Sequence, residues 1–207
     1  MTMRTGHRHL IAILRGIAPD ATVAVCEVLV RAGISLIEVP LNSPRPMDSI
    51  RAAASALQDK ACVGAGTVLS QDEVDLVVAA GGAFVVSPDC NESVIARTLA
   101  RGLRSYPGVF SPTEAFRAIR AGAHALKLFP AEVLGAKGIK AIKAVLPPAV
   151  PLYAVGGATP ETFEEFFSAG CTGFGIGSYL YKPGMTLSEI AARASAIVAA
   201  YDRAKKG

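Results

Sequence analysis

The chain has no tryptophan, three histidines, four cysteines and only 18% charged residues. Each shortage excludes something. His7, His9 and His124 form no metal-ligand spacing, so no histidine-based metal site is expected. Cys26, Cys62, Cys90 and Cys171 are scattered, with no C-x-x-C pair. Met1 to His9 is polar and basic and lacks an apolar secretory core, so the cysteines read as buried free thiols in a reducing cytoplasm. No stretch approaches the ~18 consecutive apolar residues of a membrane span. What is abundant is core material, with hydrophobic residues at 51%. Against 17 acidic residues stand 21 Lys and Arg, a net charge of +4 that suits a small anionic substrate. The basic residues are dispersed apart from the Arg203-Ala204-Lys205-Lys206 tail, which reads as a solvated face. No nucleic-acid or membrane partner is expected.

Short β-type runs alternate with longer helical stretches along the whole chain. Strands are expected at His9 to Leu14, Leu36 to Leu41, Cys62 to Val68, Phe84 to Pro88, Leu103 to Tyr106, Ala125 to Phe129, Leu152 to Val155 and Gly173 to Ile176. Between them, segments such as Ala21 to Arg31, Gln71 to Ala80 and Thr162 to Ala169 carry helical periodicity. Helix starts are marked at Pro19-Asp20, Ser70, Pro112-Thr113 and Thr159-Pro160-Glu161. Helix ends are marked by Gly33, Gly81, Gly102, Gly122 and Gly170, since glycine tolerates the left-handed conformation past a helix end. No Ser- or Pro-rich linker interrupts the alternation, so residues 1–207 read as one domain. About eight βα units predict a single α/β (β/α)8 TIM barrel. The rival is an open doubly wound sheet, and the chain lacks the strand-GxGxxG-helix fingerprint that would favour it.

In such a barrel, chemistry collects at the C-terminal ends of the strands. Arg15 closes the first strand, Glu38 lies in the second, Thr67 ends the third, and Lys127 lies in the apolar run Ala125-Leu126-Lys127-Leu128-Phe129-Pro130. Strand alternation puts Ala125, Lys127 and Phe129 on one face, and Glu38 with Pro40 on another. Burial lowers the pKa of a lysine and frees a nucleophilic amine. Lys127 is thus either a Schiff-base nucleophile or half of a structural ion pair with Glu38. Two glycine clusters follow, Val155-Gly156-Gly157-Ala158 and Gly173-Phe174-Gly175-Ile176-Gly177-Ser178. They fall in the seventh and eighth units, where barrels commonly bind phosphate through backbone N–H groups.

Taken in order, Glu38-Val39, Gly64-Ala65-Gly66-Thr67-Val68, Ser87-Pro88, Leu126-Lys127-Leu128-Phe129-Pro130, Val155-Gly156-Gly157 and Gly177-Ser178 resemble a known family. It comprises the class I aldolases that cleave 2-keto-3-deoxy-6-phospho sugar acids, and the resemblance runs from about Ile11 to the last helix. It implies that Lys127 is the Schiff-base nucleophile and Glu38 the proton-transfer residue. It further implies that Arg15, Thr67, Gly156 and Gly157 hold the keto-acid and hydroxyl portions, and that Gly177 and Ser178 hold the phosphate. The products implied are pyruvate and glyceraldehyde 3-phosphate, with no metal, no cofactor and a homotrimeric assembly. Two departures from the gluconate-specific pattern, Asn42 where arginine is usual and Val155 where threonine is usual, point to the galactonate-specific branch. The competing readings are a gluconate-specific aldolase and a non-aldolase barrel that isomerises or binds a phosphorylated metabolite.

Overall fold

The computed structural model describes residues 7–206; the first six residues of the basic N-terminal segment, and Gly207, lie outside the described residues. The strands are β1 (Leu10–Ile13), β2 (Leu36–Pro40), β3 (Cys62–Gly66), β4 (Phe84–Val86), β5 (Arg104–Tyr106), β6 (Gly108–Val109), β7 (Leu126–Leu128), β8 (Leu152–Val155) and β9 (Gly173–Ile176). The helices are α1 (Pro19–Ala32), α2 (Pro46–Leu57), α3 (Gln71–Ala79), α4 (Glu92–Ala100), α5 (Pro112–Arg120), α6 (Ala131–Val145), α7 (Phe163–Ser168) and α8 (Leu187–Ala204).

All strand pairings are parallel, in the order β5-β4-β3-β2-β1-β9-β8-β7-β6. The two ends of that order, β5 and β6, are joined in the chain by Pro107 alone, so the sheet closes on itself. Proline has no N–H to give a ladder, and the strand changes partner there. Before it, Tyr106 O accepts from Ser87 N at 3.2 Å; from it, Pro107 O accepts from Lys127 N at 2.9 Å. β5 and β6 are two halves of one barrel strand, and the architecture is the (β/α)8 barrel. The fifth strand was expected to stop at Tyr106; it continues past Pro107 through Val109.

Local chemistry sets the helix limits. Ser70 and Ser111 each form a capping box with the glutamate three residues on, Glu73 and Glu114. Pro19 and Pro112 occupy the first turns of α1 and α5, where a missing N–H costs nothing. Gly33, Gly81, Gly102, Gly122 and Gly170 all have left-handed φ, from 73° to 102°, just past helices.

Strand alternation divides the apolar residues into two sets. Outward residues such as Leu10, Val63, Leu126 and Phe174 pack with the helices. Inward residues form a separate cluster of Ile11, Ile13, Leu36, Cys62, Phe84, Val86, Tyr106, Ala125, Tyr153 and Val155. Inside the barrel, Phe84, Tyr106 and Tyr153 meet edge to face, with centroids 5.8 and 5.6 Å apart. That arrangement suits the charge distribution of aromatic rings. The aromatic layer forms the floor beneath the site.

Candidate active site

Glu38 and Lys127 belong to the inward set, on β2 and β7. Their flanking residues Ile37, Val39, Leu126 and Leu128 point outward into the helix layer. Both charged side chains are nearly inaccessible, at 2% and 6%. Isolating either charge from water costs several kcal/mol by order of magnitude. Burial therefore pushes the Lys127 amine below its ordinary value, while the Glu38 carboxylate pulls it back and Arg15 lowers it further. Burial likewise pushes the Glu38 carboxyl up, opposed by Lys127 and Arg15. The Lys127 Nζ also lies 4.6 Å from the centroid of the Phe129 ring, a contact that favours the ammonium. Burial outweighs that contact, and the amine is pushed toward its neutral, nucleophilic form.

No ion pair within 4 Å joins Glu38 to any lysine or arginine among the described residues. The two groups feel each other's charge without direct contact. A structural ion pair, the alternative reading of Lys127, is not what the barrel contains.

Glu38 owes its place to glycines on β3. Gly64 and Gly66 occupy inward positions opposite Glu38 and Pro40 in the register. Beyond Gly66, Thr67 adopts φ 58°, a left-handed conformation rare for a β-branched residue. Strain of that kind concentrates at functional sites.

A cavity of about 180 Å³ opens at the same barrel end. Its lining includes Arg15, Gly156, Gly157, Gly177 and Ser178, five of the residues singled out from sequence. Ile13, Phe129, Val155 and Gly175 line it as well. Lys127 and Glu38 are not among its lining residues; Lys127 Nζ lies against the ring of Phe129, which is one of them. Thr67 does not line it; it stands at the end of β3, beside the glycine that accommodates Glu38. Sequence reasoning missed Ile13, Thr159 and Tyr179 as lining residues. The signal for the void was present, because every inward position of β9 and its exit is glycine: Gly173, Gly175 and Gly177. A Cβ on Gly175 would come within 2.8 Å of Val155, whereas one on Gly177 would meet nothing within 4 Å. Gly177 faces open space. Arg15 donates from Nη1 to Asn42 Oδ1 at 2.6 Å.

Cys26, Cys90 and Cys171 belong to the helix-side core, apart from these groups. Burial pushes the Cys26 and Cys171 thiols up to about 12, and Cys90 donates its S–H to Glu114 O at 3.4 Å. The lysines of α6 lie elsewhere: Lys137 and Lys140 are exposed, and Lys143 Nζ donates to Pro148 O and Val150 O.

Fold and site define a barrel enzyme built around a desolvated lysine and an inward carboxylate. The KDPG and KHG aldolase family model matches residues 2–196, and the chain belongs to that family. It is 46% identical over 195 residues to 2-dehydro-3-deoxy-6-phosphogalactonate aldolase of Escherichia coli (strain K12), covering 94% of this chain and 95% of that one. Among solved structures, native KDPGal superposes with a TM-score of 0.96 at 44% identity, with each chain fully covered. KDPG aldolase of Legionella pneumophila, with pyruvate captured as a covalent carbinolamine, superposes with a TM-score of 0.83 at 26% identity over 92% of this chain and 94% of that one.

Proposed function

We propose that the chain is a class I aldolase that cleaves 2-dehydro-3-deoxy-6-phosphogalactonate to pyruvate and glyceraldehyde 3-phosphate. The observation that carries this reading is Lys127: a buried, inward lysine against the cavity-lining ring of Phe129, within the field of a buried carboxylate, Glu38, that forms no ion pair with it. The Legionella protein, which holds pyruvate as a carbinolamine, supports the same chemistry here.

The neutral amine of Lys127 adds to the C2 ketone to give a carbinolamine, and loss of water gives an iminium. The C3–C4 bond then breaks. Its electron pair flows toward the iminium nitrogen and forms an enamine. The C4 hydroxyl proton passes to the Glu38 carboxylate, and C4 leaves as the aldehyde of glyceraldehyde 3-phosphate. Protonation of the enamine at C3 and hydrolysis of the iminium release pyruvate and restore Lys127. Arg15 and Thr67 hold the keto-acid and hydroxyl portions, with the backbone at Gly156 and Gly157. Gly177 and Ser178 hold the phosphate, where the absent side chain of Gly177 lets oxygen approach the backbone.

The functional unit is the single barrel domain, working in the cytoplasm as a homotrimer. The exposed apolar side chains of Leu69, Phe110 and Val133 offer contact area for subunit association.

Borohydride reduction in the presence of pyruvate, followed by mass spectrometry and peptide mapping, tests the chemistry. The adduct is expected on Lys127 and absent from Lys127→Ala. An adduct on Lys137, Lys140 or Lys143 would refute the assignment. Parallel cleavage assays with the galactonate and gluconate epimers test the substrate, and preference for the gluconate epimer would overturn that part alone.

A further inference from the structure

Arg15 stands exposed just beyond β1, between the buried Leu14 and Ile17, and its own loop supplies nothing that holds its guanidinium. The grip comes from the loop after β2. Asn42 Oδ1 accepts from Arg15 Nη1 at 2.6 Å, and the neighbouring Ser43 Oγ accepts from the backbone N–H of Gly16 at 2.9 Å. Consecutive residues thus hold the side chain of Arg15 and the backbone immediately after it.

Ser43 is itself fixed. It is 8% exposed, and its N–H donates to Pro40 O at 3.0 Å, at the end of the strand that carries Glu38. Leu14 N donates to Glu38 O at 2.9 Å, so the chain is tied to β2 before Arg15 and to the loop after β2 beyond it. Across the loop, a Cβ on Gly16 would lie 2.9 Å from Pro183 Cγ, so Pro183 closes off its other face.

We infer that Asn42 and Ser43 are positioning residues that fix the Arg15 guanidinium at the mouth of the cavity to receive the substrate carboxylate. The inference rests on the reading of Arg15 as a substrate-binding residue. A guanidinium offers five donors in a planar fork that matches a carboxylate. Asn42 occupies one donor and, being neutral, leaves the positive charge undiminished. A carboxylate at position 42 would grip the guanidinium more tightly, yet would compete with the substrate for its charge. An untethered arginine would have to give up its rotamer freedom on each binding event. Arg15 also acts electrostatically on Lys127 and Glu38, which puts its charge near the reacting end of the substrate. That end carries the carboxylate adjoining the C2 ketone.

The test is a double-mutant cycle on the full-length enzyme, read as KM and kcat for cleavage of the phosphorylated substrate. Asn42→Ala is expected to raise KM about threefold to tenfold, the scale of one immobilised long side chain, with kcat nearly unchanged. In an Arg15→Ala background the same substitution should add nothing, because no guanidinium remains to be positioned. Asn42→Asp keeps an acceptor but cancels charge, and should raise KM more than Asn42→Ala does. Ser43→Ala should move KM in the same direction, with thermal melting used to separate loop loosening from loss of fold. An equal rise in KM from Asn42→Ala in both backgrounds would overturn the proposal, since Asn42 would then act independently of Arg15. An unchanged KM in Asn42→Ala alongside a raised KM in Arg15→Ala would overturn it too. If Arg15→Ala itself leaves KM unchanged, the underlying reading of Arg15 fails and the proposal with it. Pyruvate trapping on Lys127 in that variant still reports separately on the aldolase chemistry.

Discussion

Gly66 lies against Glu38 so closely that a Cβ on Gly66 would stand 1.7 Å from Glu38 Oε1. The carboxylate occupies the volume that any other residue at position 66 would fill. Gly66 cannot easily yield, because its carbonyl accepts from Leu41 N at 2.8 Å and β3 pairs on both sides. In Gly66→Ala it is Glu38 that must move. Turnover is expected to fall toward that of Glu38→Gln, about 10²–10⁴-fold below the parent enzyme, the usual scale for a positioned proton-transfer group. The pyruvate adduct on Lys127 should still form, and circular dichroism should remain native-like. Cleavage within a few-fold of the parent enzyme would mean that Glu38 works from another seat.

The amine of Lys127 is poised by opposing influences, and each can be removed separately. Its ordinary value is 10.5; burial lowers it most, Glu38 raises it and Arg15 lowers it. The midpoint of borohydride trapping with pyruvate should therefore lie below that ordinary value. In Glu38→Gln the raising charge is lost, so the midpoint of the profile should move to lower pH. In Arg15→Ala a lowering charge is lost, so the midpoint should move to higher pH. Shifts in the same direction for both variants would contradict the charge arrangement.

The barrel was legible because its grammar is local. Period-two alternation put Lys127 and Glu38 on inward faces. Glycines past helix ends and serines at helix starts marked the units. The two glycine clusters marked where a ligand could approach the backbone. What spacing alone could not supply was register. That Gly66 vacates the space of Glu38, and that Asn42 reaches Arg15, depends on which residues of neighbouring strands and loops stand opposite each other. Pro107 was visible in the sequence, but its effect was not. A proline normally ends a strand, and only closure of the barrel turns that break into a change of pairing partner. Thr67 shows the same limit, because nothing in its neighbours announces a left-handed φ.

That conformation has a cost that can be measured. A left-handed β-branched residue is strained by about 1–2 kcal/mol, and glycine in its place forfeits roughly 0.5–1 kcal/mol of backbone entropy. Thr67→Gly is therefore expected to raise stability by about 0.5–1 kcal/mol in urea unfolding. It should also raise KM, since a hydroxyl assigned to the substrate is removed. A stability loss instead would place the Thr67 side chain among the structural contacts and remove the argument from strain.

Burial of Glu38 makes stability depend on pH in a definite direction. Its folded carboxyl is pushed above the ordinary 4.5 chiefly by desolvation. Between that value and the raised one, the folded state holds more protons than the unfolded state, so stability falls as pH rises. Glutamine does not titrate. The stability gap between Glu38→Gln and the parent enzyme should be smallest below the ordinary carboxylate range. It should widen in favour of the variant as pH climbs through the raised value. Urea unfolding of both proteins from about pH 4 to about pH 8 measures the gap. A gap that narrows as pH rises would mean that Glu38 is stabilised as a carboxylate, against the burial argument.

Val155 ends β8 inside the cavity, 8% exposed, with Gly156 and Gly157 following it along the wall. Its side chain faces Gly175, where a Cβ would come within 2.8 Å of Val155 Cγ2. The glycine thus gives Val155 room at the edge of the substrate space. The two epimeric substrates differ only at C4, where one hydroxyl points to opposite sides. A threonine hydroxyl at position 155 could hydrogen-bond one epimer; valine, nearly the same shape, cannot. One such bond is worth about 0.5–1.5 kcal/mol, or roughly threefold to tenfold in discrimination. That is too little for strict specificity, so the enzyme is expected to accept both epimers to some degree. Val155→Thr should shift the kcat/KM ratio toward the gluconate epimer by about that factor while preserving the fold, because the two side chains are nearly isosteric. An unchanged ratio would mean that C4 is read elsewhere in the cavity.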